Sequence, residues 1–156
     1  MIIAVVSDTH RFHQPMQQVI RQLEGVDMLI HLGDVVEDVE YLTSKFSGKI
    51  LNVRGNCDPG SFIAKEKVEV IEGKKFFITH GDRYNVKSSL MNLKYRAQEI
   101  GAEVVLFGHT HIALVEYEQG VWFINPGSPS IGIDRKNSFA LIEINEGKVN
   151  PSIHTI

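Results

Sequence analysis

The sequence predicts an α/β fold in which two β-sheets pack face to face and helices cover their outer faces. Three observations predict it. The first third alternates short apolar, β-branched runs with amphipathic stretches, the rhythm of a β-α-β-α-β unit. The last third is instead a series of short strands separated by turn clusters. No repeat, low-complexity tract or linker separates these parts, so one domain over residues 1–156 is expected.

Each element follows from its pattern. Ile2 to Val6 is a continuous apolar run, as in a strand covered on both faces. Met16, Val19, Ile20 and Leu23 recur at helical spacing, and Gly25 ends that helix. The stretch VDMLIHLGD is a second buried strand ending at Gly33-Asp34. Residues 35–46 read as a second helix with Val39 and Leu42 on its apolar face. KILNVRGNCDPG is a third strand running into a turn. KVEVIEGKKFFITHGD is a hairpin turning at Glu72-Gly73-Lys74. Val86, Leu90, Leu93, Ala97 and Ile100 form a third helical stripe closed by Gly101. AEVVLFGHTH is another buried strand, and two further hairpins turn at Glu118-Gln119-Gly120 and Asn145-Glu146-Gly147.

Composition narrows the class of function. The formal net charge is -3, so no global basic footprint for nucleic acid or an anionic membrane exists. No apolar run approaches the ~20 residues of a membrane-spanning helix. The N-terminal MIIAVVSDTH lacks a basic leader and reads as a first strand rather than a signal peptide. The one cysteine, Cys57, allows no intramolecular disulfide, which fits a reducing cytoplasm.

The polar residues fall at the ends of the buried strands. Strand one runs into Asp8-Thr9-His10, strand two into Gly33-Asp34, and strand three into Gly55-Asn56-Cys57-Asp58. The hairpin runs into His80-Gly81-Asp82, and the strand after the third helix into Gly108-His109-Thr110-His111. In open α/β sheets, ligands bind outside the carboxyl ends of the strands. Alone, each segment is weak: D-x-H is more often a capped loop, a Gly-Asp pair a turn, and a single histidine a satisfied core residue. In an extended segment, Asp8 and His10 would point the same way, as would His109 and His111. Together, the carboxylates, imidazoles and amide are too many for one ion and suit two, with Asp34 as the bridge. Asp58 and Asp82 are candidates to orient the ligands, or turn caps. His31, inside a buried strand, reads as a packed neighbour of the site. Arg11 and His13 read as surface residues at a helix start.

The ordered motifs DTH, GD, GNCD, HG and GHTH, followed by NPGS at 125–128, resemble the calcineurin-like metallophosphoesterase superfamily, and within it the small YfcE-type phosphodiesterases. The resemblance covers essentially the whole chain. It implies a four-layer αββα fold with a dinuclear site at the strand ends. Asp8, His10 and His111 would hold one ion, Asn56, His80 and His109 the other, and Asp34 would bridge both. Asn56 and His109 would also be catalytic, and Asn56 and Cys57 would face the substrate. The ions implied are two divalent cations, manganese first, with nickel, iron, zinc or magnesium as alternatives.

The implied activity is hydrolysis of a small phosphodiester by a hydroxide held between the ions. The alternatives are a phosphomonoesterase, or a non-catalytic scaffold like the retromer subunits of this fold, which have lost ligands. None of the expected ligands is missing from this sequence. Many superfamily members carry histidine where this chain has Cys57. A neutral thiol is a poor acid, so slower chemistry or good leaving groups are expected. No nucleic-acid or membrane partner is expected; a homo-oligomer is compatible with the sequence.

Overall fold

The computed structural model describes residues 1–133 and 136–156. In chain order the elements are β1 (Ile2–Val6), α1 (His13–Ile20), β2 (Met28–His31), α2 (Asp38–Thr43), β3 (Lys49–Asn52), β4 (Glu66–Ile71) and β5 (Lys74–Thr79). A 3-10 turn (Asp82–Tyr84) leads to α3 (Met91–Ile100). Then come β6 (Val104–Leu106), β7 (Ala113–Glu118), β8 (Val121–Pro126), β9 (Ser138–Asn145) and β10 (Lys148–Thr155). None of the described helices is long and apolar enough to cross a membrane.

The strands form two five-stranded mixed sheets, β10-β9-β1-β2-β3 and β4-β5-β6-β8-β7. Each sheet has a parallel centre, β1-β2-β3 in one and β5-β6-β8 in the other, with antiparallel strands alongside. The buried faces meet in a core that includes Ile3, Val5, Ile30, Phe76, Ile78, Leu106 and Ile142. Met16 and Val19 of α1 and Leu42 of α2 pack on the outer face of the first sheet. Leu93 and Ala97 of α3 pack on the outer face of the second. The layers are therefore helix, sheet, sheet, helix, as the sequence predicts.

The three hairpins turn where expected. Each has a two-residue loop with both residues in the left-handed region: Glu72-Gly73, Gln119-Gly120 and Glu146-Gly147. That conformation matches the twist of paired strands, and glycine supplies it cheaply. Pro151 is accommodated because β10 is an edge strand.

Two helices are shorter than their apolar stripes. The second helix, expected over 35–46, begins only at Asp38. The backbone N–H groups of Asp34 and Val36 are turned to the carboxylate of Asp58 instead of entering a helix. The third begins at Met91, so Val86 and Leu90 lie before it; residues 85–88 form a turn, and the Met91 N–H donates to Ser89 Oγ at 2.9 Å.

Candidate metal centre

All six strands of the two parallel centres point their carboxyl ends at one rim. β1 delivers Asp8 and His10, β2 delivers Asp34, β3 delivers Asn56, β5 delivers His80, and β6 delivers His109 and His111. β8 ends in Asn125 and Pro126, followed by Gly127 and Ser128. The site is assembled from segments far apart in sequence because the sheets bring their ends together.

The donors gather into two groups able to hold a metal ion: Asp8, His10 and His111, and Asp34, His80 and His109. In each, the ligand atoms lie within 4.8 Å of one another. Asn56 joins the second through its Oδ1, 3.1 Å from His80 Nε2. His109 Nδ1 is also 3.1 Å from that nitrogen, and Asp34 Oδ2 is 3.4 Å away. The groups adjoin through Asp8. Its Oδ1 is 3.1 Å from His111 Nε2, 4.0 Å from His10 Nε2 and 3.9 Å from His80 Nε2.

Each carboxylate divides its oxygens between protein and site. Asp8 Oδ2 accepts from Ser7 Oγ at 2.7 Å and from the His109 backbone N–H at 3.0 Å. Its Oδ1 is buried with no hydrogen-bond partner, since His111 lies close but out of alignment. Asp34 Oδ1 accepts the Cys57 N–H at 2.8 Å, leaving Oδ2 toward His80. His80 Nδ1 donates to the Leu32 carbonyl at 2.9 Å, which directs the lone pair of Nε2 into the group. His10 Nε2 is likewise buried without a partner. Buried polar atoms are rarely left unmatched. Lone pairs of oxygen and nitrogen converging without donors between them fit divalent cations of the manganese-to-zinc series.

Electrostatics keep these carboxylates ionised. Burial alone would raise the pKa of Asp8, but His111, His80 and Ser7 outweigh it and the pKa is lowered. Asp34 is lowered in the same way, against burial, by His80 and the Cys57 N–H. Burial disfavours charge on His80, yet Asp34 and Asp8 raise its pKa. His109 is lowered, first by burial and then by its neighbours His80 and Lys87, which disfavour a second charge beside them. Cys57 is pushed up to about 11 by burial and by Asp34, so its exposed sulfur is a neutral thiol at pH 7.

The extended geometry expected for the D-x-H and H-x-H segments is not what places them. β1 stops at Val6 and β6 at Leu106. Asp8, His10, His109 and His111 all have positive φ, between 48° and 69°, as does Asp34 at 47°. The segments turn through positive-φ residues; Asp8 and His10 reach the same group, and His109 and His111 different ones. Gly108 is needed for space rather than for handedness: a Cβ there would run into Ser7 Oγ and the Asp8 carboxylate.

Several residues that hold the site were ambiguous or silent in the sequence. Asp58 accepts three backbone N–H groups, from Asp34 at 3.0 Å, Val36 at 2.8 Å and Gly55 at 2.7 Å. It clamps the loops of Asp34 and Asn56. His31 is fully buried and accepts the Gly33 N–H on Nδ1 at 3.2 Å. Its Nε2–H therefore donates to Thr9 Oγ1 at 3.1 Å, and Thr9 donates to Asp38 at 2.5 Å. Burial lowers the His31 pKa to about 4, in keeping with a neutral ring. The sequence alone gives Asp38, Asn125, Ser128 and Ser130 no individual role. Asn125 donates to the Gly108 carbonyl at 3.0 Å, Ser128 to the Asp8 carbonyl at 2.8 Å, and Ser130 to the Thr9 carbonyl at 2.7 Å. Asp82 opens the 3-10 turn and borders a polar cavity with Arg54 and Lys65. Arg11 is exposed and near Glu37, and His13 stacks on Tyr41, as surface residues would.

The family model of the calcineurin-like phosphoesterase superfamily domain matches residues 1–147. The chain belongs to this superfamily. Among curated relatives, the probable metallophosphoesterase YsnB of Bacillus subtilis is 33% identical over 146 residues, covering 92% of this chain and 85% of its own. The phosphodiesterase YfcE of Escherichia coli is 26% identical over 155 residues, covering 84% and 80%. A crystal structure of a conserved Streptococcus pneumoniae protein, described as a predicted phosphoesterase, superposes with a TM-score of 0.83 at 29% identity. It covers 99% of this chain and 88% of that one. The resemblance drawn from DTH, GD, GNCD, HG and GHTH is thereby borne out at the level of family and fold.

Proposed function

We propose that the protein is a divalent-metal-dependent phosphodiesterase. One observation carries the reading: two adjoining donor groups, rich in lone pairs and poor in hydrogen donors, at the rim where six parallel strands end. The name of a relative, the phosphodiesterase YfcE, supports the diester over the monoester. In this reading Asp8, His10 and His111 hold one ion and Asn56, His80 and His109 the other. Asp34, gathered with His80 and His109, would be the ligand shared with the first ion, and manganese is the first of the divalent ions to test at these mixed oxygen and nitrogen donors.

Bound divalent ions would lower the pKa of a water toward neutrality and offset charge on phosphoryl oxygens. The chain's own contribution is placement. Ser7 and the His109 N–H hold Oδ2 of Asp8 and so aim its free Oδ1, Leu32 fixes the ring of His80, and Asp58 fixes the Asp34 and Asn56 loops. Asn56 and His109 stand on the side of the second group, with Cys57 beside Asn56 as a neutral thiol. With no imidazolium at position 57, the reaction favours leaving groups that depart without a proton.

The test is metal content by mass spectrometry after manganese reconstitution, with hydrolysis of an activated aryl phosphodiester, monoesters and cyclic nucleotides. More than one equivalent of metal, diester turnover and its abolition by chelator are expected. Full turnover in excess chelator refutes the reading. Stoichiometric metal with no hydrolysis of any ester would make the protein a scaffold.

A further inference from the structure

The donor groups are flanked by two dissimilar cavities. Beside Asn56 a polar cavity of about 190 Å³ is bordered by Arg54, Asp58, Lys65 and Asp82. Beside His109 and His111 lies a larger one of about 490 Å³, within the usual range for small-molecule sites. Its walls are apolar: Val86, Leu90, Phe107, Ile112 and Leu114.

Away from the two histidines, the uncharged polar groups that reach this second cavity, Asn125 and Thr110, are already engaged. Asn125 Nδ2 donates to the Gly108 carbonyl and to Thr110 Oγ1, each at 3.0 Å, and its Oδ1 accepts the Gly127 N–H at 2.9 Å. Thr110 Oγ1 also accepts the Ile112 N–H at 3.2 Å. A hydroxyl-bearing or charged group entering here would lose its hydration and find few free partners, a cost that an apolar group avoids. Lys87 is exposed at the border and presents its charge to solvent beside the apolar walls.

We infer that this cavity receives an apolar, aromatic-sized arm of the phosphate ester, while the phosphoryl group sits at the adjoining donors. The substrate class is then a phosphodiester with one apolar arm, in preference to sugar or glycerol esters. This rests on the phosphodiesterase reading for the position of the phosphoryl group, but it is a separate statement about specificity.

Phosphonates test it without turnover, because their P–C bond is not hydrolysed. Methylphosphonate, phenylphosphonate and 2,3-dihydroxypropylphosphonate present the same head group with different arms. Their affinities for the manganese-reconstituted protein are measured by calorimetry at several temperatures. Phenylphosphonate is expected to bind tighter than methylphosphonate by about tenfold or more, from the apolar area it buries. Its heat-capacity change should be the more negative. The dihydroxypropyl compound should gain nothing over methyl. Ile112→Asn and Leu114→Asn should each lower the phenyl-to-methyl ratio; Ile112 is 55% exposed, so that variant does not disturb the core. Methylphosphonate binding with no phenyl advantage overturns this inference and leaves the phosphodiesterase reading standing. An equal gain from the dihydroxypropyl arm also overturns it. If none of the three binds the metal-loaded protein, both readings fall.

Discussion

Removing the Asp58 carboxylate is expected to destabilise the fold and loosen the second donor group together. Asp58 is 5% exposed, and its two oxygens accept N–H groups from Asp34, Val36 and Gly55. In Asp58→Ala all three donors lose their partner. Orphaning a buried donor costs about 1–3 kcal/mol. The Asp34 N–H is buried and the other two partly so, giving a loss of roughly 4 kcal/mol in all. Asp58→Asn keeps one acceptor oxygen, which can serve the Asp34 and Gly55 donors that share Oδ2, so its loss should be about 1–2 kcal/mol. Urea unfolding in excess chelator reads this contribution without any from bound metal. Reconstitution with manganese then reads the site, where a displaced orienting residue typically costs about 10–100-fold in metal affinity. An Asp58→Ala protein within about 1 kcal/mol of wild type, binding metal normally, would refute the clamp.

Three further outcomes follow from the geometry. Manganese at a hundredfold excess over its dissociation constant should raise unfolding stability by about 2.7 kcal/mol per site, read as a higher Tm; an unchanged Tm would argue against any metal site. His31 is neutral in the fold with a pKa near 4, against 6.5 for an ordinary histidine. Between those values the unfolded chain takes up a proton that the native one does not, so stability falls as pH falls. His31→Gln should remove up to roughly 1.4 kcal/mol per pH unit from that slope, and parallel pH profiles for the two proteins would contradict it. Cys57, with its thiol near 11, should be alkylated by iodoacetamide at a rate still climbing between pH 9 and 11 in chelated protein. A plateau by about pH 10 would show an ordinary thiol, and Cys57→Ser should keep its turnover.

The strands and hairpins were legible because their signals are local. Apolar runs bounded by Gly-Asp clusters marked the buried strands, and each Gly in a two-residue loop marked a hairpin. Helix starts were less legible, because the apolar stripe of the second helix continues through Val35 and Val36, and the Val36 N–H goes to Asp58 instead. The candidate donors could be picked out by position, since five strand ends carried metal-binding residue types. Their supports could not. Asp38 reads as an acidic residue in a first helical turn until Thr9 is known to lie against it. Asn125 and Ser128 act only because β8 lies beside β6, and because their segment returns to the ends of β1 and β6.

The left-handed turns link the backbone to the chemistry. Placing a non-glycine residue there costs about 1–2 kcal/mol, so the five donors with positive φ carry roughly 5 kcal/mol or more between them. Such strain persists only where surrounding contacts impose it. Here the contacts are named: Asp8 N–H to the Gly33 carbonyl, Thr9 N–H to the Asp34 carbonyl, and Ser128 to the Asp8 carbonyl. The His109 N–H adds a bond to the Asp8 carboxylate, tying the ends of β1 and β6 across the two sheets. Asp, Asn and His are the non-glycine residues that enter this region most readily, and they are also oxygen and nitrogen donors for divalent ions. A position that must turn left-handed and also end in a donor has little other choice. Replacing His111 by glutamine or glutamate would keep a donor but lose the tolerance. The motif is therefore constrained twice, by the backbone and by the proposed role as a metal donor, and a conservative donor swap there should cost both stability and metal affinity.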